Sequence, residues 1–390
     1  MNFDFDREIS RTGSGALKYD GRVGQFGTEN VLPLWVADMD FAVPEAVTRA
    51  LQSRATHPIY GYSLAPESLF EALIDWMKLR HGWEIQREWI MLTPGVVPSL
   101  NAVVMALTEP GEGILVQPPV YFPFFSAANK TGRRLVQNPL QLRDGGYSID
   151  FEHFESCAAE SKLMLLCSPH NPVGRVWHRD ELEQLLEIAQ RHKLTILSDE
   201  IHADLIYPEY HHHALATLTD DARPIVTAVS PSKTFNIPGL GLSALIVPDP
   251  AHRKAIHEVF DMVHMSAANP FSLVAFEAAY REGGPWLDAL LAYLAGTRDS
   301  VTAYVAAEMQ QIRLIQPEGS YLLWLDCRNL KMSDLKLKQF MIEQARVGLS
   351  PGTAFGHGGQ GFMRLNIGAP RKLVMTALQR VRQALQNEFP

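Results

Sequence analysis

Residues 225–239 read IVTAVSPSKTFNIPG, a short apolar run that ends in a turn with a single lysine. The apolar run is typical of a strand that is covered on both faces of a sheet. Lys233 follows where the chain leaves this strand, and α/β proteins assemble their sites at that end of their strands. A lysine in this setting can form a Schiff base, whereas a solvated lysine in an ordinary Ser/Pro turn is the plainer alternative.

Other chemistry-bearing residues fall at similar places in the chain. Each lies near the end of an apolar run or in the turn beyond it: Gly95, Tyr121, Asn171, Asp199 and Arg364. Between about residues 45 and 285 the apolar runs alternate with amphipathic stretches, which is the βαβ succession. The nearly continuous apolar runs are 113–117, 163–167, 195–198, 225–229 and 242–247. The sequence therefore predicts an α/β fold around a mostly parallel sheet.

A break at Gly283-Gly284-Pro285 predicts a domain boundary. A long helical stretch, about 285–309, follows it and leads to a further strand at 321–326. We therefore expect a large domain over residues 46–285 and a smaller C-terminal domain over 286–390. The first 40 or so residues show no convincing pattern.

Composition limits the classes of protein to consider. The 390 residues, 46% of them hydrophobic, are enough for a large core and two domains. The formal charge of -8, with one basic cluster at 130–134, argues against a nucleic-acid or anionic-membrane surface. Three scattered cysteines predict neither a disulfide framework nor a zinc site, and no metal is expected. The acidic N-terminus does not resemble a signal peptide, so we expect a soluble cytoplasmic protein.

Taken together, the motifs resemble the class I/II aminotransferase superfamily of pyridoxal 5′-phosphate (PLP) enzymes, fold type I, over nearly the whole chain. Some segments are similar to the cystathionine β-lyase branch typified by MalY and PatB: WVADMDF (35–41), YGY (60–62), SDEIH (198–202) and PEGSYLLWLD (317–326). The resemblance implies a large domain with a mostly parallel seven-stranded sheet between helices, and a smaller α+β domain. It also implies that residues 1–45 pack with the small domain.

The resemblance assigns roles around the cofactor ring. Lys233 is expected to hold PLP and then to move the substrate α-proton as a general base. Asp199 would face the pyridine nitrogen, and Tyr121 would stack on the ring as part of the catalytic set. Asn171 would donate to the phenolic oxygen, with His202 beside it where many aminotransferases carry a tyrosine. Each residue also has a plainer alternative. Asp199 could cap the next element, and Tyr121 could pack among aromatic side chains. Asn171 could belong to an ordinary Asn-Pro turn, and His202 could be hydrogen-bonded within the core.

The phosphate of PLP is expected at a glycine turn that opens a helix. The backbone amides of Gly95, Val96 and Val97 would bind it, because a helix N-terminus presents oriented N–H groups. The hydroxyls of Ser230 and Ser232 would add donors. An ordinary strand-to-helix turn and turn-stabilising serines are the alternatives.

Further expectations concern the partner subunit and the substrate. Many relatives carry an arginine eight residues after the lysine, where this chain has Gly241. By resemblance, Tyr62 of a partner subunit would supply part of the missing phosphate contact, which implies a homodimer with its active site at the interface. Arg364 would bind the substrate α-carboxylate, aided by the backbone at Ala37, and Tyr321 would line the substrate pocket.

The resemblance to the lyase branch predicts carbon–sulfur β-elimination. The expected substrate is L-cystathionine or a related S-substituted L-cysteine, which would give a thiol such as homocysteine, pyruvate and ammonia. A PLP-dependent aminotransferase stays open as an alternative, as does a PLP-binding regulatory protein without turnover. The triplet His211-His212-His213 is expected to be a solvated loop, and Asp38 and Asp40 are expected in loop and helix-start roles.

Overall fold

The computed structural model describes residues 3–265 and 269–389. The helices are α1 (Leu17–Asp20), α2 (Arg22–Phe26), α3 (Glu45–Ala55), α4 (Glu67–His81), α5 (Val96–Leu107), α6 (Pro123–Asn129), α7 (Phe151–Ala159), α8 (Arg179–Arg191), α9 (Pro231–Thr234), α10 (Pro250–Met262), α11 (Pro270–Glu282), α12 (Gly284–Glu308), α13 (Asp334–Gln339) and α14 (Arg371–Glu388). The strands are β1 (Leu32–Pro33), β2 (Ile90–Thr93), β3 (Gly113–Val116), β4 (Arg134–Gln137), β5 (Gln141–Arg143), β6 (Gly146–Ser148), β7 (Leu163–Cys167), β8 (Thr195–Asp199), β9 (Ile225–Val229), β10 (Ser243–Ile246), β11 (Arg313–Leu314), β12 (Leu322–Asp326), β13 (Val347–Gly348), β14 (Ser350–Pro351) and β15 (Phe362–Asn366).

Seven strands form the main sheet in the order β2-β10-β9-β8-β7-β3-β4. Neighbouring pairs are parallel from β9 to β4, and β10 runs antiparallel to both of its neighbours. The prediction of a mostly parallel seven-stranded sheet in an α/β fold is therefore confirmed. The predicted apolar runs correspond to β3, β7, β8, β9 and β10.

Helices cover both faces of this sheet, which explains why its central strands are mostly apolar on both faces. Along β7, Leu163 and Leu165 belong to one apolar core, and Met164 and Leu166 belong to the other. Successive strand residues point to opposite faces, so each face needs its own apolar cover. Helices α5, α6 and α10 contribute to the first core, and α4, α7, α8 and α11 contribute to the second.

The register of the parallel strands sets the position of the site. Cys167 at the end of β7 pairs with Asp199 at the end of β8, and Asp199 pairs with Ala228 of β9. The carboxyl ends of these strands therefore lie side by side. Lys233 follows from the same edge on α9.

A second sheet, in the order β11-β12-β15-β14, is antiparallel and lies among residues 313–366. Helix α12 begins at the predicted break and leads toward it. Strand β1 pairs in parallel with β13, so the N-terminal segment contacts the C-terminal part of the chain. This pairing supports the expected division at residues 45 and 285, which stays a prediction.

The segment 317–321 runs from the second sheet region against the first. Glu318 donates its backbone N–H to Gly174 O at 2.9 Å, and Ser320 donates its own to Leu205 O at 2.6 Å. Gly319 forms an isolated bridge with Ile206, and a Cβ on Gly319 would lie 3.0 Å from Leu205 O. These backbone contacts hold the segment close to the end of β8.

No helix in the described part of the chain has both the length and the apolar content needed to cross a bilayer.

Candidate active site

A cavity of about 310 Å³ opens at the carboxyl ends of β7, β8 and β9. It gathers most of the residues that the sequence singled out: Ala37, Gly95, Val96, Val97, Tyr121, Asn171, Asp199, His202, Ser230, Ser232 and Lys233. A larger cavity of about 670 Å³ lies at the opposite, amino ends of β8 and β9. None of the predicted site residues lines that one, so the chemistry belongs to the smaller cavity.

Lys233 reaches this cavity from the four-residue helix α9, which Ser230 caps. Its Nζ donates to the Ala37 carbonyl oxygen at 2.7 Å. The loss of hydration around the amine, together with the positive charge of Arg364, lowers the pKa of Lys233 to about 8. A substantial fraction of this amine is therefore neutral near physiological pH, as a nucleophile or general base requires.

Asp199 is buried at the end of β8. Burial raises its pKa to about 7, although its carboxylate accepts the Ile201 N–H at 3.2 Å and lies near the charge of Lys233. Among the described residues no basic side chain forms an ion pair with it. A cationic ring nitrogen beside this carboxylate would stabilise its charged form, so the residue fits the pyridine nitrogen of PLP.

Arg364 lies on β15 and is buried, with two of its nitrogens already engaged. It donates to Asn171 Oδ1 at 3.0 Å and to the Trp35 carbonyl oxygen at 3.0 Å. Its Nε is buried without a hydrogen-bond partner, and burial lowers its pKa to about 10. A buried guanidinium with an unused donor fits a carboxylate ligand. The same contact occupies the Asn171 oxygen, which leaves the Asn171 amide N–H₂ as a donor.

Helix α5 directs its N-terminus at the cavity. Gly95 caps it with φ 155°, a backbone region that L-residues rarely adopt. The first N–H groups of a helix, here those of Val96 and Val97, have no partner within the helix and attract anions. These amides and the Ser232 hydroxyl fit a phosphate. The Ser230 hydroxyl instead donates to Leu242 O at 2.9 Å and caps α9.

His202 and Tyr121 also line the cavity. Burial and the positive charges of Lys233 and Arg364 lower the pKa of His202 to about 3, so its imidazole is neutral. Its Nδ1 lies 3.2 Å from Ser320 Oγ. Burial raises the pKa of Tyr121, whose ring lies 5.0 Å from that of Phe122. The roles expected for both residues stay predictions.

Three expected site residues are not among those that line the cavity. One of them, Arg364, lies beside it and donates to the lining residue Asn171. Tyr62 is fully exposed on the single chain. Tyr321 is buried at the rim and donates its hydroxyl to the Ala37 carbonyl oxygen at 3.0 Å. The Ala37 carbonyl oxygen therefore accepts hydrogen bonds from both Tyr321 and Lys233.

The expectation of a solvated histidine loop is wrong for His212. Its side chain is buried, and its Nε2 lies 2.9 Å from Glu200 Oε2. Asp38 and Asp40 are ion-paired: Arg11 contacts each at 2.7 Å, and Lys18 lies 2.9 Å from Asp40. Within residues 3–265 and 269–389, no group of three or more His, Cys, Asp or Glu residues could hold a metal ion.

Some residues around the cavity were not singled out from the sequence. Cys167 lines the cavity from the end of β7. Like Asp199, it ends a predicted strand, and this position was the available signal. Asn236, at φ 58°, accepts the Met39 N–H at 2.8 Å and donates to the carbonyl oxygens of Met39 and Phe41. It thereby holds the segment that presents Ala37. An Asn in a turn after the lysine was the available signal.

A family model described as "Aminotransferase class I and II" matches residues 29–381 of this chain. The protein named cystathionine beta-lyase PatB, from Bacillus subtilis (strain 168), is 43% identical over 385 residues, which cover 98% of this chain and 100% of PatB. Protein MalY from Escherichia coli (strain K12) is 34% identical over 377 residues, which cover 95% of each chain.

The fold is also similar to solved structures. Cystalysin from Treponema denticola, whose crystal structure contains a pyridoxal 5′-phosphate cofactor, superposes with a TM-score of 0.97 at 37% identity. The match covers 100% of both chains. The cavity lined by Lys233 and Asp199 therefore lies in a fold that binds this cofactor in a solved relative.

Proposed function

Because the chain belongs to the aminotransferase class I and II family, we propose that it is a PLP-dependent carbon–sulfur β-lyase, a cysteine-S-conjugate or cystathionine β-lyase. It cleaves L-cystathionine or related S-substituted L-cysteines by α,β-elimination to a thiol, pyruvate and ammonia. One observation carries this conclusion. Lys233, Asp199 and Asn171 line one cavity, and Asn171 accepts a hydrogen bond from Arg364 beside it, in a chain 43% identical to PatB.

PLP, when bound, withdraws electrons from the amino-acid α-carbon, which acidifies its proton and lets a β-substituent leave. Lys233 would hold the aldehyde of the cofactor, and its amine, when free, would accept the substrate α-proton. Its lowered pKa suits both roles, because the neutral amine is both the nucleophile and the base. The Ala37 carbonyl oxygen accepts a hydrogen bond from the amine at 2.7 Å, which limits the positions from which the amine can act.

Other residues hold and orient the groups around Lys233. Asp199 supplies a buried anion for the ring nitrogen, and the free amide of Asn171 supplies a donor for the phenolic oxygen. The N-terminus of α5 and Ser232 supply donors for the phosphate. These assignments rest on the burial, hydrogen bonds and free donors described above.

Arg364 binds the substrate α-carboxylate through its unused Nε and its NH groups. This contact fixes the α-carbon so that its proton faces Lys233. The bond between the β-carbon and sulfur then breaks with its electron pair on sulfur, and the thiolate takes up a proton. Water hydrolyses the remaining aminoacrylate to pyruvate and ammonia.

The test is a steady-state assay of the purified cofactor-loaded enzyme with L-cystathionine and no keto acid. We expect pyruvate and a free thiol in equal amounts, measured by coupled lactate dehydrogenase and by a thiol reagent. Lys233→Ala is the control and should release neither. An enzyme that turns over only when a keto-acid acceptor is added would be an aminotransferase, and that result would overturn the proposal.

We propose further that the protein is a homodimer in which each cavity receives Tyr62 from the partner subunit. Tyr62 is fully exposed on the single chain and lies among other exposed apolar side chains, Ile59, Tyr60 and Leu64, in a stretch without helix or strand. A second copy of this chain would cover them. Such a cluster rarely stays in water without a partner.

Mixing two inactive or weakened variants tests this arrangement. Tyr62→Phe should weaken cofactor binding, and Lys233→Ala should be inactive. Hybrid dimers that form on mixing contain one site with both natural residues, so about a quarter of the wild-type sites should return at limiting PLP. A monomer by light scattering, or no recovery in proven hybrids, would contradict the proposal.

We also propose a cytoplasmic location and a domain division at residues 45 and 285. Cys157, Cys167 and Cys327 are all buried free thiols, which suits a reducing compartment. The pairing of β1 with β13 supports the assignment of the first residues to the small domain. Limited proteolysis and fractionation of cells test the two points.

A further inference from the structure

The segment 317–321 brings one hydroxyl to the active-site histidine. Ser320 Oγ lies 3.2 Å from His202 Nδ1, and both side chains are buried. Ser320 has φ 67°, an unusual conformation for a residue with a side chain, and its N–H donates to Leu205 O. The backbone contacts of Glu318 and Gly319 hold the same segment in place. The backbone contacts of the segment 317–321 therefore hold the Ser320 hydroxyl within hydrogen-bond distance of His202 Nδ1.

Counting donors decides the direction of this hydrogen bond. A neutral imidazole has one ring proton, so one nitrogen donates and the other accepts. If Nδ1 carried the proton, it would donate to Ser320, and the buried hydroxyl proton would need a second acceptor. Within the described residues His202 is the only hydrogen-bond partner of Ser320 Oγ. The arrangement in which Ser320 donates to Nδ1 leaves no buried donor unpaired, so it is the stable one.

We propose that Ser320 is a positioning residue that keeps the single ring proton of His202 on Nε2, the nitrogen left for a ligand in the cavity. His202 then presents a neutral N–H donor to the negatively charged phenolic oxygen of PLP. This inference rests on the proposed function, because it assigns His202 to the cofactor. Ser320, which precedes strand β12 of the second sheet, would thereby influence the hydrogen bond that His202 donates to the phenolic oxygen of PLP.

The first experiment reads the tautomer directly in the cofactor-free protein. Nitrogen-15 NMR of protein labelled at the histidine ring distinguishes a protonated from an unprotonated ring nitrogen, and loss of a signal in His202→Gln assigns it. We expect the proton on Nε2 in the wild type. Ser320→Gly, which removes the hydroxyl and tolerates the positive φ, should give a mixture or the Nδ1 tautomer. A wild type protonated on Nδ1, or an unchanged tautomer in Ser320→Gly, would overturn the proposal.

The second experiment uses the cofactor-bound protein and the pH midpoint of its visible absorption band. That band reports the proton on the nitrogen that joins Lys233 to the cofactor. A donor on the phenolic oxygen weakens the hold of this oxygen on the proton, so loss of the donor raises the midpoint. We expect Ser320→Gly to raise it by roughly one pH unit, the order expected for weakening one hydrogen bond to a charged oxygen.

Matched variants separate this effect from general disturbance. Lys331→Gly removes a side chain at φ 52°, away from the cavity, and should leave the midpoint unchanged. His202→Gln supplies an amide donor that needs no tautomer, so Ser320→Gly should add little in that background. An equal shift with and without His202 would refute the coupling. If the wild type released no pyruvate from cystathionine, the proposed lyase activity would fail, while NMR and absorbance would still decide the role of Ser320.

Discussion

The lowered pKa of Lys233 predicts how fast the free chain captures its cofactor at different pH values. Only the neutral amine attacks an aldehyde, so the capture rate should follow the neutral fraction of Lys233. With a pKa of about 8 in place of the ordinary 10.5, about a quarter of the amines are neutral at pH 7.5, against about one in a thousand for an ordinary lysine. The rate should therefore rise with pH, reach half its maximum near pH 8 and level off above about pH 9.

Charge changes around Lys233 should shift this midpoint with opposite signs. Desolvation is the largest cause of the lowered pKa and Arg364 the next, whereas Asp199 raises it. Arg364→Gln should therefore move the midpoint part of the way toward 10.5, and Asp199→Asn should move it down. Arg328→Gln serves as a control, because Arg328 is exposed and paired with Asp326.

Stopped-flow absorbance after mixing cofactor-free protein with excess PLP measures these rates. Acetyl-lysine under the same conditions corrects for titration of PLP itself. Circular dichroism checks that each variant is folded. A wild-type midpoint near 10, or a downward shift in Arg364→Gln, would refute the reasoning about Lys233.

Three further outcomes are expected. Borohydride reduction of the cofactor-bound protein followed by peptide mass mapping should locate the adduct on Lys233, and an adduct on any other lysine would contradict the site. Arg364→Lys should raise KM for cystathionine by about 10-fold to 100-fold in steady-state assays, because the ammonium of a lysine cannot replace the planar guanidinium that donates to a carboxylate. An unchanged KM would show that Arg364 does not bind the substrate α-carboxylate. Lys18→Met should lower the free energy of unfolding by about 3 kcal/mol in urea, since it leaves buried Asp40 with one cation fewer. The exposed pair of Arg49 and Glu282 is the control, and Arg49→Met should cost less than about 1 kcal/mol.

The sheet was predictable because its signal is local. The run 225–229 and its counterparts are nearly continuous in apolar residues, and β7 and β9 are buried at every position. Helix α5 likewise begins at the predicted glycine turn and ends at Leu107. Lys233 and Asp199 could be singled out for the same reason, since each follows directly from a strand that the sequence marks.

Two polar side chains, His212 and Ser230, show what the sequence could not predict. His212 was expected in a solvated loop, yet it is buried, and its Nε2 lies 2.9 Å from Glu200 Oε2. Ser230 stays a predicted phosphate ligand, and its hydroxyl also donates to Leu242 O and caps α9. In both cases the hydrogen-bond partner decides where the polar atom points. The pattern of apolar and polar residues along the sequence does not reveal that partner.

The sequence by itself determined the strands, the long helices, the turn that bears Lys233 and the residue types available for chemistry. Only the tertiary structure decided which polar atoms meet. Arg364 binds Asn171 across 193 positions of the chain, and Lys233 binds the Ala37 oxygen across 196. Strand and turn preferences act over a few neighbouring residues, whereas these contacts depend on how two sheets and the segments between them pack. The orientation of each donor and acceptor therefore follows from that packing.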